Sequence, residues 1–226
     1  MALDILYQDE WLVAVNKPAG HMVHPADSPQ PDDLVTMKIL RDQLGQHIHT
    51  IHRIDRPTCG LLIFGLDPVA TKQLQRDFEN RKVSKTYVAV IEGKPEGSNW
   101  VCEEAIQKTE DAPFKDARTS FELQASIEIP ELSLWLSLVE AKPETGRHHQ
   151  IRRHLSQAGH AIVGDYRYAG IERSTELTSA LDLNERMLLQ AKSLAFTHPV
   201  DGSAQCISCP TEPLIQRLFA DSFPDG

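Results

Sequence analysis

The chain has 226 residues, is 41% hydrophobic and 24% charged, and carries a formal net charge of −9. That length holds one large domain or two small ones, and so ordinary a composition excludes wholesale disorder. Taken alone, the negative charge also argues against a nucleic-acid partner, because binding a phosphate backbone requires positive charge.

Taken in chain order, residues 3–6 and 12–15 are short β-like runs. Residues 27–33, rich in Asp and Pro, form the clearest breaker cluster. Residues 34–44 repeat apolar side chains at helical spacing, with Gly45 as a stop. Residues 61–66 read as a buried strand. Asp67-Pro68 then supplies an N-cap and a proline at the first helical position, predicting a helix to about Asn80. Residues 86–91 alternate as a strand, and 119–125 with 132–139 predict an antiparallel pair. Residues 147–158 predict a basic helix ended by Gly159, 188–196 a strand and 213–220 a terminal helix. Strands and helices do not alternate regularly, so the predicted class is α+β with a mainly antiparallel sheet and flanking helices.

The acidic N-terminus has no basic and apolar leader pattern. The most apolar short run, 61–64, is far below the ~18 residues of a membrane span. A soluble, cytoplasmic protein is expected, with no membrane partner. Cys59, Cys102, Cys206 and Cys209 are too sparse for a disulfide framework. Cys206 and Cys209 have C-x-x-C spacing but no second pair, and they read as structural thiols.

The charge is unevenly spread. Residues 1–37, 96–140 and 174–226 carry −5, −7 and −4, whereas 38–94 and 142–173 carry +4 and +3. The two basic segments also hold the residues best suited to chemistry. In His52-Arg53-Ile54-Asp55-Arg56-Pro57-Thr58-Cys59-Gly60, an aspartate sits between two arginines. A neighbouring guanidinium favours the carboxylate form, and a fixed carboxylate serves as nucleophile, base or cation stabiliser. The same pattern also suits a structural Asp–Arg pair at a turn. Tyr87, after Lys85-Thr86, offers a face for stacking and a hydroxyl for proton transfer, or simply core packing. In the run from Thr145 to Leu155, residues His148, Ile151, Arg152 and Leu155 share one predicted helix face. Arg147, Arg153 and His154 are placed to reach phosphate. Gly164-Asp165 to Gly170 is a turn-rich aromatic stretch. The histidines at 47, 49 and 52 lack the spacing and acidic partners of a zinc site, and no nucleotide-binding or serine-hydrolase fingerprint occurs.

Together these motifs resemble the RluA-type family of RNA pseudouridine synthases. Asn16-Lys17-Pro18-Ala19-Gly20 with Val23-His24-Pro25 resembles the family's opening motif, and the segment 52–60 its catalytic motif. Lys85-Thr86-Tyr87, Gly146-Arg147-His148-His149-Gln150-Ile151-Arg152, Gly164-Asp165 with Tyr168, and His198-Pro199 follow in order. Ile54 and Cys59 stand where the family has Leu and Ser, and neither change removes a reacting group. The resemblance begins at the first residues, so no appended N-terminal RNA-binding domain is expected. This is similar to the shorter tRNA-modifying members, the TruC-type branch among them.

The resemblance implies a single catalytic domain over residues 1–226, made of two half-domains sharing one sheet with a central cleft. It implies isomerisation of a uridine in structured RNA, tRNA first and rRNA second, with no cofactor, no metal and no DNA partner. Asp55, Tyr87 and Arg152 would be catalytic. Arg53, His52, Ile151, Arg147, His149 and Arg153 would contact RNA, and the protein would act as a monomer. Asp55 would either attack the sugar or assist loss of the 2′ proton. Two other readings are a non-catalytic RNA-binding module on the same fold and a metal-dependent hydrolase using the histidines.

Overall fold

The computed structural model describes residues 2–25, 30 and 33–220. In chain order the elements are β1 (Asp4–Gln8), β2 (Leu12–Lys17), α1 (Thr36–Leu44), β3 (His49–Thr50), β4 (Cys59–Gly65), α2 (Pro68–Glu79), β5 (Ser84–Glu92) and β6 (Asn99–Cys102). Then come β7 (Thr119–Ile129), β8 (Leu134–Pro143), α3 (Gln150–Gln157), α4 (Ile171–Ala180), β9 (Leu189–Thr197), β10 (Ala204–Ser208) and α5 (Pro213–Leu218). They fall into two units. One comprises the described residues of 1–85 with 190–210, the other 86–189 with the described residues from 211 onward.

In the first unit the strands run β1-β2-β4-β9, with β3 on β4 and β10 on β9. All pairs are antiparallel except β4 with β9, where Cys59 faces Gln190 and Gly60 faces Ala191. Every residue of β4 is buried. That is why 61–64 reads as an unbroken apolar run: a central strand covered on both faces has no side for polar residues. Asp67 caps α2 as expected, its carboxylate accepting from the Val69 and Ala70 amides. Gly45 ends α1 in the left-handed conformation, its N–H donating to the Arg41 carbonyl.

In the second unit the order β5-β8-β7-β6 is antiparallel throughout. One core cluster gathers Ala89, Ile91, Phe121, Val139, Ile151, Leu155 and Met187, with Tyr87 packed against it. A second gathers Val90, Leu136, Leu138, Leu177, Ile215 and Phe219. Alternate residues of β5 thus feed different cores, Ala89 and Ile91 one and Val90 the other, as a period of two requires.

The mixed, mainly antiparallel α+β class is the one expected, and three boundaries need correction. The basic helix begins at Gln150, not Arg147, because His149 adopts the left-handed conformation at φ 55°. His148 is therefore off the helix and does not share its face with Ile151, Arg152 and Leu155. Strand β7 runs on to Ile129 past an irregularity between Leu123 and Ala125. Strand β8 starts at Leu134, because residues 130–132 form a 3-10 turn closed by left-handed Ser133. Of the breaker cluster 27–33, positions 27–29, 31 and 32 lie outside the described residues.

Candidate active site

In the first unit, Asp55 lies on the loop joining β3 to β4. Ile54 and Thr58 are buried, Arg53 and Arg56 are exposed, and Asp55 is half-buried between them. The loop turns tightly, with the Thr58 N–H donating to the Asp55 carbonyl at 3.1 Å. Two devices fix its backbone.

The first is Lys17, the last residue of β2, which is fully buried. Its ammonium donates to the carbonyls of Pro18 (2.9 Å), His21 (2.8 Å) and Arg56 (3.2 Å). The Gly20 amide donates to the Arg56 carbonyl at 2.8 Å, and Arg56 Nε returns a bond to the Gly20 carbonyl at 2.9 Å. The Asn16–Gly20 motif is thus the clamp on the Asp55 loop. A buried cation satisfied by carbonyls at this spacing holds backbone far more firmly than exposed contacts do.

The second device is Gly60, at φ +102°. A Cβ there would lie 2.3 Å from the Ala191 carbonyl oxygen, so only glycine lets β4 approach β9 closely enough to pair.

His52 shares this loop, but its ring faces protein. It stacks on Phe78 at 4.6 Å and 14°, and Nε2 accepts the Ile63 N–H at 3.3 Å. Burial, with the Lys85 ammonium nearby, pushes its pKa down to about 3. It is a neutral structural imidazole, an unsuitable grip for phosphate. Burial and the Arg81 charge in turn bring Lys85 down to about 8.

In the second unit, α3 and the loop before it carry the remaining predicted residues. Gln150 is buried and saturated. Its Oε1 accepts from the Thr145 hydroxyl (2.6 Å) and the Arg147 N–H (3.0 Å), and its Nε2 donates to the Arg118 carbonyl and Thr119 Oγ1. This knot draws residues 145–149 into a turn and explains the late helix start. Arg152 is buried and forms a two-point ion pair with Asp165, Nε to Oδ2 and Nη2 to Oδ1, each 2.8 Å. Its guanidinium also lies over the Tyr168 ring at 5.1 Å. Asp165 Oδ1 further accepts from the Arg167 and Tyr168 amides. Gly164 makes this turn possible: at φ +76°, a Cβ would meet the Arg186 carbonyl oxygen at 2.1 Å.

Ile151 sits in the same cluster that Tyr87 packs against, so these two predicted residues share one wall. His149 stacks on His148 at 3.7 Å and hydrogen-bonds the Tyr168 hydroxyl at 3.0 Å. Arg147 and Arg153 are half-buried, reaching the carbonyls of Asp116 (2.9 Å) and Gln107 (2.7 Å). His154 is enclosed between Thr119 Oγ1 and the Glu104 carbonyl, and burial lowers its pKa.

Three residues escape sequence reasoning as contributors: Lys17 as clamp, Gln150 as knot and Asp165 as holder of Arg152. All three stand inside recognised motifs, yet no local pattern says what their side chains hold. Among the described residues, no group of three or more His, Cys, Asp or Glu has metal-site geometry, and no helix is long and apolar enough to cross a membrane. All four cysteines are unbridged, with Cys206 exposed and Cys209 buried.

Comparison with known proteins bears on this arrangement. The family model for RNA pseudouridylate synthase matches residues 11–157. A tRNA pseudouridine synthase C from Pasteurella multocida (strain Pm70) is 37% identical over 215 residues, covering 88% of this chain and 88% of that one. Its counterpart from Yersinia pestis is 37% identical over 233 residues, covering 96% and 90%. Among solved structures, Human RNA Pseudouridylate Synthase Domain Containing 1 is similar at a TM-score of 0.76 and 26% identity, covering 96% of this chain and 86% of that one. The matched span holds the clamped Asp55 loop, Tyr87 and the whole of α3, and with them this chain belongs to the RluA-type family of RNA pseudouridylate synthases, isomerases that act on RNA.

Proposed function

We propose that this chain converts a uridine of tRNA into pseudouridine, with Asp55 as the catalytic carboxylate. The observation that carries the reading is the Asp55 loop itself: a half-buried carboxylate between two exposed arginines, on a backbone fixed by Lys17 and Gly60. A charged group held on rigid backbone needs little reorganisation during reaction. The tRNA assignment follows the names of the relatives.

In this reading the N1–C1′ bond of the target uridine breaks, the uracil turns, and C5 bonds to C1′. C5 loses a proton and N1 gains one, so the isomerisation is redox-neutral and takes no external group. Asp55 meets the sugar, by attack at C1′ or by assisting 2′-proton loss. Tyr87 stacks on the extruded base and serves in removing the C5 proton, and Ile151 lines its edge. Arg152, pre-oriented by Asp165, is the third catalytic residue. Arg53 fills the gap left in the RNA. Arg147, Arg153 and the cations of residues 67–82 offset the few kcal/mol that extrusion costs. The two units act as halves of one catalytic domain, and the protein works as a cytoplasmic monomer.

The test is pseudouridine mapping of total RNA from cells with and without an active copy of this gene. One tRNA position that loses pseudouridine, and regains it on incubation with the purified protein, is expected. An unchanged map contradicts the proposal, and a missing site in rRNA alone transfers the activity to that substrate.

A further inference from the structure

Tyr168 stands three residues after Asp165 and is half-buried. Its N–H donates to the Asp165 carboxylate at 3.3 Å and to the Asp165 carbonyl at 3.2 Å. Its carbonyl accepts from the Ser156 hydroxyl at 3.4 Å. Its own hydroxyl meets His149 Nδ1 at 3.0 Å, with the two rings edge to face at 90°. His149 reaches it from a left-handed backbone, uncommon for a residue with a Cβ, and its carbonyl accepts the Arg153 N–H at the start of α3. The ring is thus pinned at both ends, and the Arg152 guanidinium lies over it at 5.1 Å.

Asp165 and Tyr168 constrain Arg152 in different directions. Two parallel hydrogen bonds to one carboxylate fix the guanidinium within its own plane. They resist a tilt out of that plane only weakly, because a hydrogen bond tolerates some bending. An aromatic face within cation–π range sets that tilt. Burial raises the Tyr168 pKa, so the phenol stays neutral and does not compete with Asp165 for the cation. Asp165 Oδ1 accepts from both Arg152 Nη2 and the Tyr168 amide, so the two constraints share one atom and form one unit.

We propose that Tyr168 is a positioning residue for the reaction: its ring sets the tilt of the Arg152 guanidinium, and His149 holds its hydroxyl end. The role rests on the reading of Arg152 as catalytic. Misplacing a reacting group by about 1 Å costs rate by about a hundredfold, so a residue that touches no substrate still governs turnover.

The experiment uses the full chain and bulk tRNA from cells lacking this gene, with rates scaled to the folded fraction. Tyr168→Leu removes the ring face and is expected to lower kcat about ten- to hundredfold, leaving KM within about twofold. Tyr168→Phe keeps the face and should retain at least about a third of kcat. Tyr168→Met, which fills a similar space without a face, carries the test if Tyr168→Leu does not fold. In an Arg152→Lys background, Tyr168→Leu should cost less than about threefold, because an ammonium has no plane to tilt. A ring that merely supports the fold would cost the same in both backgrounds, and that result overturns the proposal. So does a wild-type kcat in Tyr168→Leu, an equal loss in Tyr168→Phe, or a loss confined to KM. Arg152→Lys at the wild-type rate takes Arg152 out of the chemistry and Tyr168 with it, while tRNA modification stands. A wild-type protein that makes no pseudouridine in that tRNA removes the functional reading itself.

Discussion

Arg152 and Asp165 meet in a two-point ion pair, both bonds 2.8 Å, with the two side chains 6% and 1% exposed. Removing the carboxylate strands a buried guanidinium, which costs about 3–5 kcal/mol in such settings. Asp165→Ala is therefore expected to lower chemical-denaturation stability by that amount. Asp165→Asn keeps an acceptor and should cost less. Equal stability of wild type and Asp165→Ala would show that the pair does not hold Arg152.

Gly60 combines a positive φ with a Cβ direction blocked by the Ala191 carbonyl. Gly60→Ala is expected to lose more than about 2 kcal/mol, with turnover falling further because the Asp55 loop leads directly into β4. Urea titration and an activity assay on the same preparation check both. A wild-type midpoint would mean that the β4–β9 approach tolerates a methyl group.

Lys17→Met deletes three charge-assisted bonds from a fully buried site. Such bonds contribute about 1.5–3 kcal/mol each without adding fully. At least about 2 kcal/mol of destabilisation is expected, with kcat reduced more than tRNA affinity, since the clamp orients the reacting loop. An affinity loss with kcat preserved would assign Lys17 to RNA binding instead.

His52 makes stability pH-dependent with a definite sign. Its folded pKa of about 3 lies below the ordinary value of 6.5. Between those limits the unfolded chain binds a proton that the folded protein refuses. Stability is complete above pH 6.5 and falls as pH drops toward 3, by about 1.4 kcal/mol per pH unit for one such proton. His154, also lowered by burial, acts in the same direction. Denaturation between pH 4 and 7 should show His52→Gln with the shallower dependence. Parallel curves would mean that His52 is protonated in the fold.

Sequence legibility followed the range of the physics. The start of α2 could be read because Asp67-Pro68 acts within three residues. The Asp55 motif could be read because its charged residues, Arg53, Asp55 and Arg56, are close neighbours in sequence. Helix α4 was missed because its buried residues are Ser174, Leu177 and Thr178, so a polar inner face erases the apolar period. Helix α3 was begun three residues early because Gln150 turns its side chain back on Thr145 and Arg147, which composition does not reveal. The Arg152–Asp165 pair was invisible because thirteen residues and a glycine-dependent turn separate its members.

The most direct measurement is pseudouridine formation in single-turnover conditions by Asp55→Ala and Asp55→Asn, with tRNA binding measured on the same proteins. Both variants should bind tRNA within a few-fold of wild type and form no pseudouridine above background. Turnover at the wild-type rate by either one would contradict the assignment of Asp55 as the catalytic carboxylate.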